Sequence, residues 1–162
     1  MRPHQIFGAM SPEKCEALFA AIAEESPETV QQTVVAAAAA LKFRPKYMFK
    51  QPLPKRIASV RRALSRVQSS QLAEEVLAVY FLKCRLELLT EWLDLVGLAH
   101  EEGILTDEEV TCPDASKLAK KVDEFRAASD DDDRDLLLQT FSAQGAIDWP
   151  ALDALLEATV AS

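Results

Sequence analysis

Residues 70–96 read SQLAEEVLAVYFLKCRLELLTEWLDLV and form the longest helical pattern in the chain. Serine at the start is a favourable helix N-cap, and Gly97 is a common helix terminator. At about 100° per residue, four charged side chains share one narrow sector of this helix: Lys83, Glu87, Glu91 and Asp94. Apolar side chains fill a far wider sector, so neighbours must cover the helix on most sides. We therefore expect one continuous central helix over about residues 70–96.

Other helix starts are marked by capping residues. Ser11-Pro12-Glu13 and Ser26-Pro27-Glu28 each place a serine N-cap before a proline, followed by an acid that suits the helix dipole. In the first of these helices, one apolar stripe is expected at Cys15, Leu18, Phe19 and Ile22. Further helices are expected near Pro54, Thr106, Asp114, Asp130–Asp133 and Asp148. Three prolines within residues 43–54 indicate an extended connection instead. No segment alternates like a strand. The sequence thus predicts an all-α fold of six to eight helices packed around the central helix, with no significant sheet.

The chain length bounds the number of domains. With 162 residues, it matches the size of one domain. We expect a single helical domain over residues 1–162. A subdivision is the alternative, with a helical body over residues 1–97 and an acidic helical subdomain over residues 98–162. The smaller piece would be marginally stable alone, so we expect it to pack on the body.

Composition excludes several classes of protein. Hydrophobic residues make up 49% and charged residues 27%, which is too apolar for a disordered chain. Three cysteines, Cys15, Cys84 and Cys112, do not make a disulfide framework and indicate a reducing compartment. No apolar run is long enough for a signal peptide or a membrane span. We expect a cytoplasmic protein that does not enter a membrane.

Charge is distributed unevenly along the chain. The net charge is −8, yet residues 42–66 contain nine basic side chains and no acid. Residues 101–162 contain five basic and sixteen acidic side chains. Two interpretations of the basic segment 42–66 stay open. It is an anion-binding surface, or it folds against the acidic C-terminal third and is neutralised there.

The surface interpretation gives the first functional hypothesis, a non-catalytic module for macromolecular interaction. Its candidate binding residues combine positive charge with two aromatic anchors: Arg44, Lys46, Tyr47, Phe49, Lys50, Arg56, Arg61 and Arg62. Tyrosine and arginine dominate protein interfaces, so an acidic protein or a second copy of this chain fits as partner. Nucleic acid is the alternative partner, with Tyr47 or Phe49 stacking on bases. The acidic net charge repels nucleic acid at long range.

Arg85 breaks the apolar pattern of the central helix. Its side chain projects between apolar neighbours, where an unpaired guanidinium costs several kcal/mol. A carboxylate from a neighbouring helix could pair with it, or the side chain could reach solvent. A bound anionic ligand is the other interpretation, and it makes Arg85 the ninth candidate binding residue.

An enzyme is the remaining alternative. The sequence has no phosphate-binding loop, zinc-protease motif or nucleophile elbow. A small polar site near Arg85 or His100 is the catalytic hypothesis, and cations beside Cys84 could lower its thiol pKa. The acidic run Asp130–Asp133 lacks the alternating spacing and glycine of an EF-hand, and it fits a helix N-terminus. We assign no catalytic residue, metal ligand or cofactor.

Overall fold

The computed structural model describes the backbone of residues 1–161 and the side chains of residues 1–158. This part of the chain is mostly helical, which confirms the helical fold class. The helices are α1 (Pro3–Ala9), α2 (Pro12–Glu25), α3 (Pro27–Ala40), α4 (Pro45–Lys50), α5 (Leu53–Leu64), α6 (Ser70–Val79), α7 (Leu86–Leu95), α8 (Ala115–Ala127), α9 (Asp133–Ala143) and α10 (Pro150–Ala161). The ten described helices exceed the expected six to eight. None of them has the length and hydropathy needed to cross a membrane.

The chain divides into two compact units, which we describe separately. The N-terminal unit runs from Arg2 to Cys84 and contains α1–α6. The C-terminal unit begins at Arg85 and contains α7–α10. The boundary between the units falls inside the segment that was expected to be the central helix.

The expectation of one continuous helix over residues 70–96 is wrong. A π-helix over Tyr80–Cys84 follows α6, and Arg85 then leaves helical geometry with φ −134° and ψ 43° before α7 begins. Two separate apolar stripes explain the interruption: Ala73, Val76, Leu77 and Tyr80 in one unit, and Leu88, Leu89, Trp92 and Leu93 in the other. On an unbroken helix these stripes would point roughly 140° apart. One straight helix therefore could not bury both stripes in a common core.

The N-terminal unit is built on mutual packing of α2, α3 and α5, with α1 on α5 and α6 and with α4 on α3. Its core contains the predicted stripe of α2 together with large side chains from the other helices: Phe7, Cys15, Leu18, Phe19, Ile22, Met48, Ile57, Val60 and Leu64. Ser11 caps α2 as expected, because its Oγ accepts a hydrogen bond from the Lys14 amide at 3.1 Å.

Two short helices of this unit were not predicted. Both α1 and α4 begin with a proline at the first helical position, where its missing N–H breaks no helical hydrogen bond. The extended connection expected over residues 43–54 is therefore wrong for Pro45–Lys50. The start of the chain is also ordered through His4, which is buried and places Nδ1 3.1 Å from the Ser70 hydroxyl.

The C-terminal unit packs around an aromatic cluster. The Trp92 ring lies edge-on to Phe125 and Phe141, with centroid distances of 5.4 and 5.8 Å. Phe141 in turn contacts Trp149 at 5.1 Å. Edge-to-face pairs of this kind add to the stabilisation that burial alone provides. The cluster joins α7, α8 and α9 to the segment that precedes α10.

A small hairpin follows Gly97, and the short helix expected near Thr106 does not form. Strand β1 (His100–Glu101) pairs antiparallel with β2 (Ile104–Leu105), and residues 106–114 form no helix. The two turn residues, Glu102 and Gly103, have φ of 50° and 86°. Positive φ at both central positions is the signature of a type I′ turn, whose twist matches paired strands.

Candidate functional site

The basic segment 42–66 occupies α4, α5 and their flanks in the N-terminal unit. Seven of its nine basic side chains are exposed, and Arg56 and Arg61 are half-buried. Among the described side chains of this unit, no carboxylate lies within 4.0 Å of any of the nine. Acids of the same unit therefore do not neutralise the segment.

Arg56 holds the end of α4 and one aromatic side chain. Its Nε donates to the carbonyl of Met48 at 3.2 Å, and one Nη donates to the carbonyls of Phe49 and Gln51 at 2.6 and 3.1 Å. The last carbonyls of a helix have no partner within the helix, so this guanidinium acts as a C-cap. It also stands 5.7 Å from the centroid of the Phe49 ring. Arg56 is thus a positioning residue with most of its donors occupied.

A second contact chain orders Tyr47. The Phe43 and Tyr47 rings meet edge-on at 5.3 Å, and the Arg62 guanidinium lies 5.9 Å from the Phe43 centroid. Tyr47 is 54% exposed and Phe49 is 39% exposed, which is unusual for large aromatic side chains. Both rings are exposed to solvent, and contacts with neighbouring side chains fix their orientation.

Two more arginines of the segment tie helices together. Arg61 Nε donates to the Met10 carbonyl at 2.8 Å, after the end of α1. Arg66 donates to the Ala40 carbonyl at 2.9 Å, at the end of α3. The contact of Arg61 is structural, whereas the sequence analysis predicted that Arg61 is a binding residue.

The remaining charges form what we call the basic–aromatic surface. It consists of six exposed cations that have no hydrogen-bond or ion-pair partner among the described residues of their unit, and of two exposed rings: Lys42, Arg44, Lys46, Lys50, Lys55, Arg62, Tyr47 and Phe49. On α4, Lys46 shares one face with Phe49 and Lys50, because these positions are three and four residues apart. Positive charge and aromatic area therefore alternate on the same helix.

Arg85 lies outside this surface, in the C-terminal unit, and is surrounded by acids. Its Nε donates to Glu87 at 2.8 Å, and its two Nη atoms donate to Asp131 and Asp133 at 2.6 and 2.5 Å. The hydrogen bond that Arg85 donates to Asp131 is the main cause that raises the pKa of this guanidinium above its usual range. Three carboxylates around one cation disfavour a further anion. Arg85 is therefore best described as an ion-pair centre within its unit.

Arg85 also explains why the acidic side chains of Asp131–Asp133 lie close together. The carboxylate oxygens of Asp131, Asp132 and Asp133 approach within 4.8 Å of one another, which resembles a cation site. Two of these acids pair with the guanidinium, and Asp131 also accepts a hydrogen bond from the Asp133 amide at 3.0 Å. The guanidinium thus supplies the positive charge that the clustered acids require.

Arg134 is a buried arginine that sequence reasoning missed. It pairs with Glu91 at 2.9 Å and donates to the Phe125 carbonyl at 3.0 Å and to the Ser129 hydroxyl at 2.9 Å. Its guanidinium also lies 4.7 Å from the Phe125 ring centroid. Its position in a run of aspartates suggests an exposed residue, and no local pattern reveals these distant partners.

The proposed catalytic groups form no convergent site. His100 Nε2 lies 2.8 Å from Asp94 of α7, and Nδ1 accepts the Gly103 amide at 3.2 Å, so one ring nitrogen contacts α7 and the other contacts the hairpin turn. Burial raises the pKa of the Cys84 thiol, and the acids Glu25 and Glu24 raise it further. The alternative in which neighbouring cations lower the pKa of this thiol is therefore wrong.

The two units carry opposite charge. The N-terminal unit has twelve basic and seven acidic side chains, a net charge of +5. The C-terminal unit has six basic and nineteen acidic side chains, a net charge of −13. The N-terminal unit is therefore basic, although the protein as a whole is acidic. Comparison of the chain with protein-family models, curated protein sequences and solved structures found no match.

Proposed function

We propose that the protein is a non-catalytic binding module whose basic–aromatic surface recognises an acidic protein partner. The observation that supports this proposal most strongly is the set of six exposed cations with no hydrogen-bond or ion-pair partner among the described residues of their unit. Like charges held close together repel, so this arrangement does not stabilise the fold of the unit. A partner that brings carboxylates to the surface would relieve that repulsion on binding.

The aromatic side chains support a protein as the partner. Tyr47 and Phe49 are already ordered by Phe43 and Arg56, so little side-chain entropy would be lost on binding. Aromatic and arginine anchors account for most of the binding energy at many protein interfaces. Exposed rings flanked by cations are suited to a partner that offers carboxylates around a small apolar area.

The chemistry of the cations favours an acidic protein over nucleic acid as the partner. Four of the six free cations are lysines, which lack the planar fork that binds phosphate in two places. A second copy of the chain is one possible acidic partner, because its C-terminal unit carries the charge of −13.

We further propose a cytoplasmic location for this module. All three cysteines, Cys15, Cys84 and Cys112, are free thiols. Free thiols are typical of reducing compartments, where disulfides do not persist. Mass spectrometry after alkylation of the freshly extracted protein tests this location, and any oxidised pair among the three would contradict it.

Fluorescence anisotropy can test the binding proposal with defined probes. Full-length protein is titrated into labelled polyglutamate and, separately, into a labelled thymidine oligonucleotide of equal length. We expect polyglutamate to bind more tightly, with an affinity that falls as salt rises from about 20 to about 300 mM. Replacing Tyr47 and Phe49 by alanine should weaken the complex with an acidic peptide that contains a central leucine.

Three other outcomes would redirect or contradict the proposal. Tighter binding of the oligonucleotide, with a steep salt dependence, would favour nucleic acid as the partner. A dimer in light scattering that dissociates at high salt would identify the second copy as the partner. Absence of binding to both probes at low salt would contradict the proposed surface.

A further inference from the structure

An apolar groove lies on the N-terminal unit, apart from the residues of the basic–aromatic surface. It encloses about 480 Å³ between α2, α3 and α5. Its walls are formed mostly by small and aliphatic side chains: Ala17, Ala20, Ala23, Val30, Leu53 and Ile57. The opposite face of α2 is buried in the core, so this helix presents apolar side chains in two directions.

The groove has the length and smoothness of a helix-docking site. Its lining on α2 extends from Glu13 to Ala23, a rise of about 15 Å or three turns. Ala17, Ala20 and Ala23 are exposed, and alanines allow another backbone to approach closely. Leu53, in the first turn of α5, is 62% exposed at the edge of the groove. A bound helix would remove this side chain from water.

Negative charge at one end of the groove indicates which kind of helix would bind there. Glu13 and Glu16 line the groove, are exposed, and have no ion-pair partner among the described side chains. We infer that the groove docks an amphipathic helix of a partner protein, with apolar residues at helical spacing and a lysine or arginine that faces Glu13 and Glu16. This inference goes beyond the proposed function, because a basic helix is complementary to this groove and not to the basic–aromatic surface.

A pair of synthetic helices provides the probe. Both peptides span three turns with leucines at positions i, i+3 and i+7, and they differ only in two lysines or two glutamates at one end. Full-length protein is titrated into each labelled peptide. We expect the lysine peptide to bind about tenfold more tightly, because the glutamate peptide meets like charge. The double substitution Glu13→Gln and Glu16→Gln should remove this preference.

Substitutions in the groove locate the binding. Ala20→Gln keeps a helix-forming residue and fills the groove with a longer polar side chain, so it should weaken binding of the lysine peptide about tenfold. Ala39→Gln is the matched control, since Ala39 is exposed on α3 and does not line the groove. Circular dichroism of both variants verifies that they fold.

The outcomes separate this inference from the proposed function. Lys46→Glu with Lys50→Glu should leave peptide binding unchanged, whereas Ala20→Gln should leave polyglutamate binding unchanged. Equal affinity for the two peptides, no saturable binding, or no effect of Ala20→Gln would overturn the inference. A protein dimer that Ala20→Gln dissociates would overturn it too, in favour of a second copy in the groove.

Discussion

An Nη atom of Arg85 donates a hydrogen bond of 2.5 Å to Asp133, whose side chain is only 2% exposed. The two residues are 48 positions apart in the sequence and stand at the starts of α7 and α9. The ion pair therefore fixes two helix N-termini in the C-terminal unit. Arg85 also occupies the non-helical position at which the segment 70–96 is interrupted.

This ion pair predicts unequal effects of removing its members. Arg85→Met removes the cation that pairs with the buried Asp133, and it should lower the free energy of unfolding by about 3 kcal/mol. Asp133→Asn should cost less, because Arg85 keeps Glu87 and Asp131. Urea denaturation of each variant measures the difference.

A solvent-facing pair supplies the control for the Arg85 experiment. Arg126 pairs with Asp135 at 2.7 Å, and the Asp135 side chain is 61% exposed. Arg126→Met should cost less than about 1 kcal/mol, as is usual for surface pairs. Similar losses for Arg85→Met and Arg126→Met would show that burial of Asp133 does not control the stability of the unit.

Stability should fall at alkaline pH because of Cys15. Burial is the main cause that raises the pKa of this thiol from 9.0 to about 12, and the side chain is fully buried. A pKa raised by folding gives stability below pH 9, and this stability is lost as pH rises toward 12. Between neutral pH and pH of about 10.5, the loss should reach about 2 kcal/mol.

Cys15→Ala separates this thiol from other alkaline groups. The variant should be less stable at neutral pH because the sulfur leaves a cavity, but its stability should decline less above pH 9. Chemical denaturation across the alkaline range measures how steeply the free energy of unfolding falls with pH in the variant and in the wild-type protein. Identical slopes would assign the alkaline loss to other groups.

Arg56 should control the order of α4. Arg56→Met removes three hydrogen bonds to carbonyls near the end of that helix, so its amides should exchange with solvent about tenfold faster. Lys55→Met is the matched control, because Lys55 is exposed and has no partner among the described residues. Hydrogen exchange with mass spectrometry reads peptides that cover Pro45–Lys50. Equal exchange in both variants would contradict the capping role.

The aromatic cluster should be reported by tryptophan fluorescence. Both tryptophans of the chain, Trp92 and Trp149, contact Phe141 in the C-terminal unit. Phe141→Leu should reduce the free energy of unfolding by about 1 to 2 kcal/mol and shift the emission of the folded protein. Phe49→Leu serves as control, since Phe49 is partly exposed and distant in sequence. An unchanged emission spectrum in Phe141→Leu would contradict the packing of the cluster.

Local signals in the sequence predicted part of the fold. Serine followed by proline marked the starts of α2 and α3, and all four apolar positions of the predicted α2 stripe are buried. The Ser11 side chain caps α2 as predicted, whereas the Ser26 side chain makes no capping hydrogen bond to the backbone of α3. These features succeed because capping and helical periodicity depend on neighbouring residues only. The extended connection predicted from three prolines is wrong at Pro45, because a first-turn proline is compatible with a short helix.

Features that depend on distant residues could not be predicted. The central helix is interrupted because different faces of the segment 70–96 are buried in two separate cores. The periodicity of the sequence shows only one wide apolar sector, so it does not reveal that these residues belong to two cores. The nominated Arg61 donates to the Met10 carbonyl, a contact that spans 51 positions. Tyr47 and Phe49 were predicted to be anchors on the surface, and both side chains are exposed. Their role in binding stays a prediction.

The most direct test of the binding proposal compares two charge reversals of equal size. Lys46→Glu with Lys50→Glu alters the basic–aromatic surface, and Lys117→Glu with Lys120→Glu alters exposed lysines of α8 in the other unit. Both double variants change the net charge by the same amount. In polyglutamate titrations, we predict that the first pair lowers affinity at least about tenfold more than the second. Equal losses would mean that net charge alone governs binding, and this result would contradict the account.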